Sequence, residues 1–176
     1  MIALGIWQLG RADEKAELIA QYQAALSNGQ SRPFPAPGGG VYDEADLFHP
    51  AALNCRSIIA REAVAGRSAD GASGIAHIAR CETDEGPADV KIGWSRSPDA
   101  PTWAGGPVRG LIVPGGIDGA RLQMIEPAPG LSALARPDPR DLPNNHLAYA
   151  GQWFFFALTA LVIYALSLRR RTRERR

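Results

Sequence analysis

The chain has 176 residues, 45% of them hydrophobic, with 19 Lys and Arg against 18 Asp and Glu. The net charge of +1 is unevenly divided: residues 169–176 hold six Arg and Glu174, a charge of +5, which leaves −4 on residues 1–168. The only basic run is therefore the C-terminal tail, which argues against a nucleic-acid partner. Two cysteines, Cys55 and Cys81, are too few for a disulfide framework and wrongly spaced for a zinc site.

Met1 to Leu9 (MIALGIWQL) is apolar but too short to span a membrane. It reads either as the remnant of a first membrane helix or as a short buried strand or helical turn, and no cleavable signal peptide is visible. From Arg11 to Leu26 the spacing predicts an amphipathic helix. Leu18, Ile19, Tyr22 and Leu26 share one face, Asp13, Glu14, Lys15 and Glu17 lie elsewhere, and Ser27, Asn28 and Gly29 can end it. Residues 29–40 (GQSRPFPAPGGG) predict a loop, followed by a brief helical turn from Asp43 to Phe48.

Strands are predicted next, at Ala52 to Glu62 and Gly74 to Cys81, with the turn-rich AGRSADGASG between them. A hairpin centred on Ser68 would set Cys55 opposite Cys81, but the sequence does not determine the register, and two unpaired cysteines are expected. Further strands are expected at Ala88 to Ser95, Pro107 to Val113 and Arg121 to Glu126. Nineteen Gly and fourteen Pro fit such short strands better than a helical bundle. Pro127 to Pro143 is proline-rich and is expected to be extended.

Leu147 to Leu168 (LAYAGQWFFFALTALVIYALSL) carries no charge. As a helix its length is about 33 Å, enough for the roughly 30 Å hydrocarbon core of a bilayer. Tyr149 and Trp153 suit one interface, and the arginines from Arg169 onward mark the cytoplasmic side. The expected fold class is α+β: a small, mostly antiparallel β domain outside the cytoplasm, with one N-terminal amphipathic helix and a C-terminal transmembrane helix. The division is 1–9 as the remnant of a first membrane helix, 10–146 as the extracytoplasmic domain, 147–168 as the span and 169–176 as a cytoplasmic basic tail. No mitochondrial transit segment is visible, so a bacterial plasma membrane with a periplasmic domain is the expected location, although a mitochondrial protein with its leader removed would look similar.

Three histidines narrow the search for chemistry. His49 and His77 are expected to be ordinary surface or packed residues. His146 stands at the outer end of the span, and at helical spacing it shares a face with Tyr149, Trp153 and Phe156. An imidazole beside such rings is a reasonable axial ligand for haem iron. An aromatic belt and a helix-capping histidine are the more ordinary account of the same pattern. No GxSxG, Walker or dinucleotide motif occurs, and Ser73 has no evident His and carboxylate partners, so an enzyme is not expected.

Several segments together resemble the surfeit-locus-1 family of cytochrome c oxidase assembly factors. Leu4 to Ile19 (LGIWQLGRADEKAELI) is similar to the family signature at the end of its first membrane helix, with Trp7, Gln8, Leu9, Arg11 and Lys15 in matching places. Asn144 to Tyr164 (NNHLAYAGQWFFFALTALVIY) resembles the start and body of the second membrane helix. Gly93-Trp94 sits where the family has an Arg-Gly-Trp motif, here preceded by Lys91-Ile92, so the Arg is missing; Lys and Arg are not equivalent at fork-like contacts.

The resemblance implies two membrane helices flanking an extracytoplasmic domain, and a role in maturing the haem a-containing core subunit of the oxidase. For some bacterial members it also implies haem a as a cofactor, held by a histidine at the head of the second helix that His146 matches; Tyr149 and Trp153 would flank it on the same helical face. The competing reading is a cofactor-free membrane chaperone that grips an assembly intermediate, using Gly151 and Ala150 for close helix approach.

Overall fold

The computed structural model describes residues 1–34, 44–99, 102–116 and 119–174. Half of the predicted loop 29–40 and the start of the predicted turn at Asp43 lie outside these residues. Two compact units are present, Met1–Ala20 with Arg140–Arg176, and Gln21–Pro139.

Helix α1 runs from Ile2 to Asn28, beginning in the first unit and ending in the second. It extends nine residues before the predicted Arg11 and takes in all but the first residue of the apolar opening, which is helical rather than a strand. Helix α2, His146–Glu174, closes the chain, and its last turn carries Arg171 and Arg173. Among the described residues, the stretch that contains α2 is the one helix long and apolar enough to cross a membrane. Its side chains fit lipid: Leu158, Leu161, Ile163 and Tyr164 are all exposed, and of α2 Ala150 alone is buried. A helix is one of two structures that satisfy every backbone group inside hydrocarbon.

The second unit is built on six strands. They are β1 (Pro50–Cys55), β2 (Ser57–Arg67), β3 (Ser73–Thr83), β4 (Gly86–Ser95), β5 (Gly106–Pro114) and β6 (Ala120–Met124). They form one sheet in the order β1-β5-β6-β4-β3-β2, antiparallel except where β4 meets β6. The expected mostly antiparallel α+β architecture is present.

The strand predicted over Ala52 to Glu62 is divided at Arg56. Its halves follow one another along the chain yet lie at opposite ends of the strand order, β1 on β5 and β2 on β3. The run 50–67 therefore curls the sheet into an incomplete barrel, and the Arg56 N–H donates to the Glu82 carbonyl at 2.9 Å at the break. Because side chains alternate across a strand, one residue from each of four neighbouring strands meets in a row. Ala79 pairs with Val90, Val90 with Leu122 and Leu122 with Ile112, and none of the four retains any exposure. Burying each of the three larger side chains contributes about 1.5–3 kcal/mol.

The two cysteines are joined in a disulfide with Cα atoms 5.1 Å apart, which corrects the expectation of unpaired thiols. The physical reason lies in the register. The hairpin is centred on Asp70, with Gly66 opposite Gly74 and Arg61 opposite Ala79, and a bulge between Ile58 and Ala60 leaves Ile58 opposite Cys81. Cys55 is not on that ladder; it ends β1 and meets Cys81 across the closure of the barrel. Gly105 (φ 98°) passes so close that a Cβ there would lie 2.5 Å from the Cys55 carbonyl oxygen, which makes glycine necessary at this crossing.

The proline-rich segment after β6 is extended, as expected, and is pinned to the sheet. Trp94 and Ser132 exchange backbone hydrogen bonds of 2.8 and 2.9 Å, and Ala135 N–H reaches the Arg67 carbonyl at 2.9 Å. A short 3-10 turn, Pro139–Asp141, ends it. With a sequence separation of 26 between the cysteines, chain-entropy reasoning gives the cross-link about 3.5 kcal/mol of stability. The double variant Cys55→Ser/Cys81→Ser should lose roughly that amount in urea unfolding of the detergent-solubilised chain, and reductant should destabilise the native chain but not the variant.

Candidate functional site

In the helical unit, α1 and α2 meet along narrow stripes. On α1, Gly5 and Ala12 are buried and Gln8 and Lys15 half-buried, a spacing of three, four and three residues. On α2, Ala150 is buried and His146, Trp153 and Ala157 half-buried, at four, three and four. This spacing is that of antiparallel or parallel helices packed along a shared seam. The contacts establish the antiparallel sense: a Cβ on Gly5 would lie 2.7 Å from the Phe154 ring, whereas Asn144 Nδ2 donates at 3.5 Å to the Ala12 carbonyl. Glycine at position 5 leaves room for the Phe154 ring.

His146, predicted from the sequence as the site residue, lies at the head of this seam. Its Nδ1 is 2.7 Å from Oε1 of Gln8. The amide oxygen only accepts, so the imidazole donates through Nδ1–H, and Nε2 carries the lone pair with no hydrogen-bond partner among the described residues. That is the arrangement of a metal-binding histidine: one nitrogen engaged by an acceptor, the other available. Asn144, two residues earlier, keeps its Oδ1 buried and unpartnered. Among the described residues no three His, Cys, Asp or Glu gather as a bare metal ion would need. A haem iron brings its ring nitrogens and asks of the protein as little as one imidazole.

The predicted aromatic face is divided by the packing. Trp153 is half-buried in the seam, and its ring meets Phe156 edge-on at 6.2 Å. Tyr149 and Phe156 are exposed to either side of it. The start of α1 is also apolar and open, with Ile2, Ile6 and Trp7 each more than half exposed. An apolar surface on a helix packed beside a membrane-length helix fits lipid contact. Of the two small residues considered for a partner helix, Ala150 is used up within the seam, and Gly151 has nothing within 4 Å of where its Cβ would be.

The contact of His146 with Gln8 is what reasoning from single positions missed. For Gln8 the signal was present only as one of five matched places in the N-terminal signature, and its partner is 138 residues away. The other two histidines are packed in the sheet unit, as expected: His49 Nδ1 lies 2.9 Å from the Gln30 carbonyl oxygen, and His77 Nε2 lies 2.8 Å from Ser95 Oγ. Ser95 Oγ in turn donates to the Ser97 carbonyl, so His77 supplies the proton in the contact between them.

The place of the missing arginine before Gly93-Trp94 is taken by Ile92, buried at 1% exposure, at a slip in the register with β3. Lys91 lies on the face of β4 opposite to that of Val90 and is half-buried. Burial, and then the nearby Arg121 guanidinium, hold the Lys91 ammonium below its ordinary pKa. On the same face Asp89 takes a two-pronged ion pair from Arg80, at 2.9 and 3.1 Å. A cleft of about 390 Å³ elsewhere in this unit is lined by Leu111, Met124 and Leu134, with Arg136 as its one ionisable residue.

The model of the SURF1 family matches residues 1–158, about nine-tenths of the chain, and so takes in both helices of the seam and the sheet between them. The chain has no match among the curated proteins.

The seam makes opposite demands on two adjacent residues. Ala150→Leu should cost about 1–3 kcal/mol by forcing α1 and α2 apart. Gly151→Leu, with open space at its Cβ, should cost nothing measurable. Thermal unfolding of the two variants in the same detergent checks the contrast.

Proposed function

Because the chain belongs to the SURF1 family, whose members are assembly factors for cytochrome c oxidase, we propose that it holds or presents haem a at His146 while the core subunit of that oxidase matures. The observation that carries this reading is the state of His146: half-buried at the head of α2, with Nδ1–H donated to Gln8 and no partner for Nε2 among the described residues. Trp153 in the seam and Tyr149 beside it offer ring surfaces against which a flat macrocycle can stack. Bound haem a would supply the iron whose coordination the imidazole completes. The protein's own contribution is to hold that imidazole at the lipid boundary in one tautomer.

The chain is a membrane protein, and the finer placement is part of the proposal. The arginine tail after the span keeps the C-terminus in the cytoplasm by the positive-inside rule. The sheet unit then lies in the periplasm of a bacterial plasma membrane, with residues 1–9 belonging to a first membrane helix. The Cys55–Cys81 disulfide supports this orientation, since such bonds persist in oxidising compartments.

The test is to purify wild type and His146→Ala from cells that make haem a and record their spectra. Wild type should carry haem and His146→Ala should lose it while remaining in the membrane and folded. A folded His146→Ala protein with an unchanged haem spectrum would contradict the assignment. Equal co-purification of the oxidase core subunit with both proteins, neither carrying haem, would favour the cofactor-free chaperone.

A further inference from the structure

We infer that Gln8 is a positioning residue for the iron ligand, setting the tautomer, ring plane and basicity of His146 from the neighbouring helix. This rests on the reading of His146 as a haem ligand. Neutral imidazole has two tautomers, and only the one protonated at Nδ1 leaves Nε2 as the donor of a lone pair. In the lipid boundary, where water is scarce, the ring's choice is made by whichever protein group faces Nδ1. That group is the Gln8 amide oxygen at 2.7 Å.

Gln8 is itself held in place. It lies between Gly5 and Ala12 on the buried stripe of α1, where the Phe154 ring closes on Gly5 and the Asn144 amide reaches the Ala12 carbonyl. The two helices are therefore tied on either side of the Gln8–His146 contact, which limits sliding and ring rotation. An acceptor on Nδ1–H also pushes electron density toward Nε2, making it a stronger donor to iron. A neutral amide does this moderately, a carboxylate strongly and an alkyl group not at all.

The consequence is a graded effect with a sign. In the haem-loaded full chain, Gln8→Glu should shift the midpoint potential of the iron below wild type, because a stronger donor favours the oxidised metal. Gln8→Leu should shift it above wild type and weaken haem binding by about 10–100-fold. A residue that merely packs would not move the potential in opposite directions for the two substitutions. Gln8→Glu is nearly isosteric, so its downward shift remains a test even where Gln8→Leu does not fold.

The experiment is a spectroelectrochemical titration of wild type, Gln8→Glu, Gln8→Leu and His146→Ala, with haem binding measured by difference spectra in the same detergent. Opposed shifts about the wild-type value are the expected result. Haem bound by wild type and lost in His146→Ala, with no shift or same-direction shifts in the Gln8 variants, overturns the role of Gln8 and leaves the ligand in place. Equal haem spectra for wild type and His146→Ala overturn the ligand reading, and the role of Gln8 with it.

Discussion

A side-chain hydrogen bond of 2.7 Å between two helices requires that they stay in register. In this protein that constraint is met by small residues. Gly5 leaves room for the Phe154 ring, and Ala12 and Ala150 are buried where larger side chains would hold the helices apart. The approach brings an imidazole and an amide together at the edge of a membrane-length helix. Neither helix is unusual alone; their juxtaposition orients a histidine ring whose Nε2 has no hydrogen-bond partner among the described residues.

The sheet unit solves a different problem. A six-stranded sheet has two edges, and exposed edges invite pairing with other chains. Here the edges are formed by successive parts of a single run, residues 50–67, which bends at Arg56 and pairs with β5 before the bend and with β3 after it. The Cys55–Cys81 disulfide lies across that closure. The row Ala79, Val90, Leu122 and Ile112 fills the interior behind it. A unit closed in this way leaves few unpaired strand groups at its edges, and its cross-link is of the kind that persists in oxidising compartments.

How much of this was legible in the sequence depended on the range of the interaction. The span needed only composition: an uncharged stretch of helix-spanning length followed by arginines. Alternation and turn residues located the strands with boundaries off by a few residues. The bend at Arg56 was not legible, because nothing local distinguishes one strand from two halves that pair with different partners far along the chain. The disulfide was missed for the same reason: a hairpin centre on Asp70 rather than Ser68 removes the symmetry that would have paired the cysteines, and barrel closure restores the contact by another route. In the helical unit, the position of His146 at the head of an aromatic-rich helix was legible. Gln8 was not, since its meaning lies wholly in a partner at the other end of the chain. The resemblance at the two termini supplied the missing link, because those are the two segments that the fold brings together.

The central claim is that this chain serves maturation of a haem a-containing oxidase. The most direct measurement is the reduced-minus-oxidised spectrum of membranes from cells in which the protein has been deleted, with and without a plasmid copy. The account predicts a diminished haem a signal in the deletion that the plasmid restores. A haem a signal equal to that of the parent, with oxidase activity intact, would contradict it.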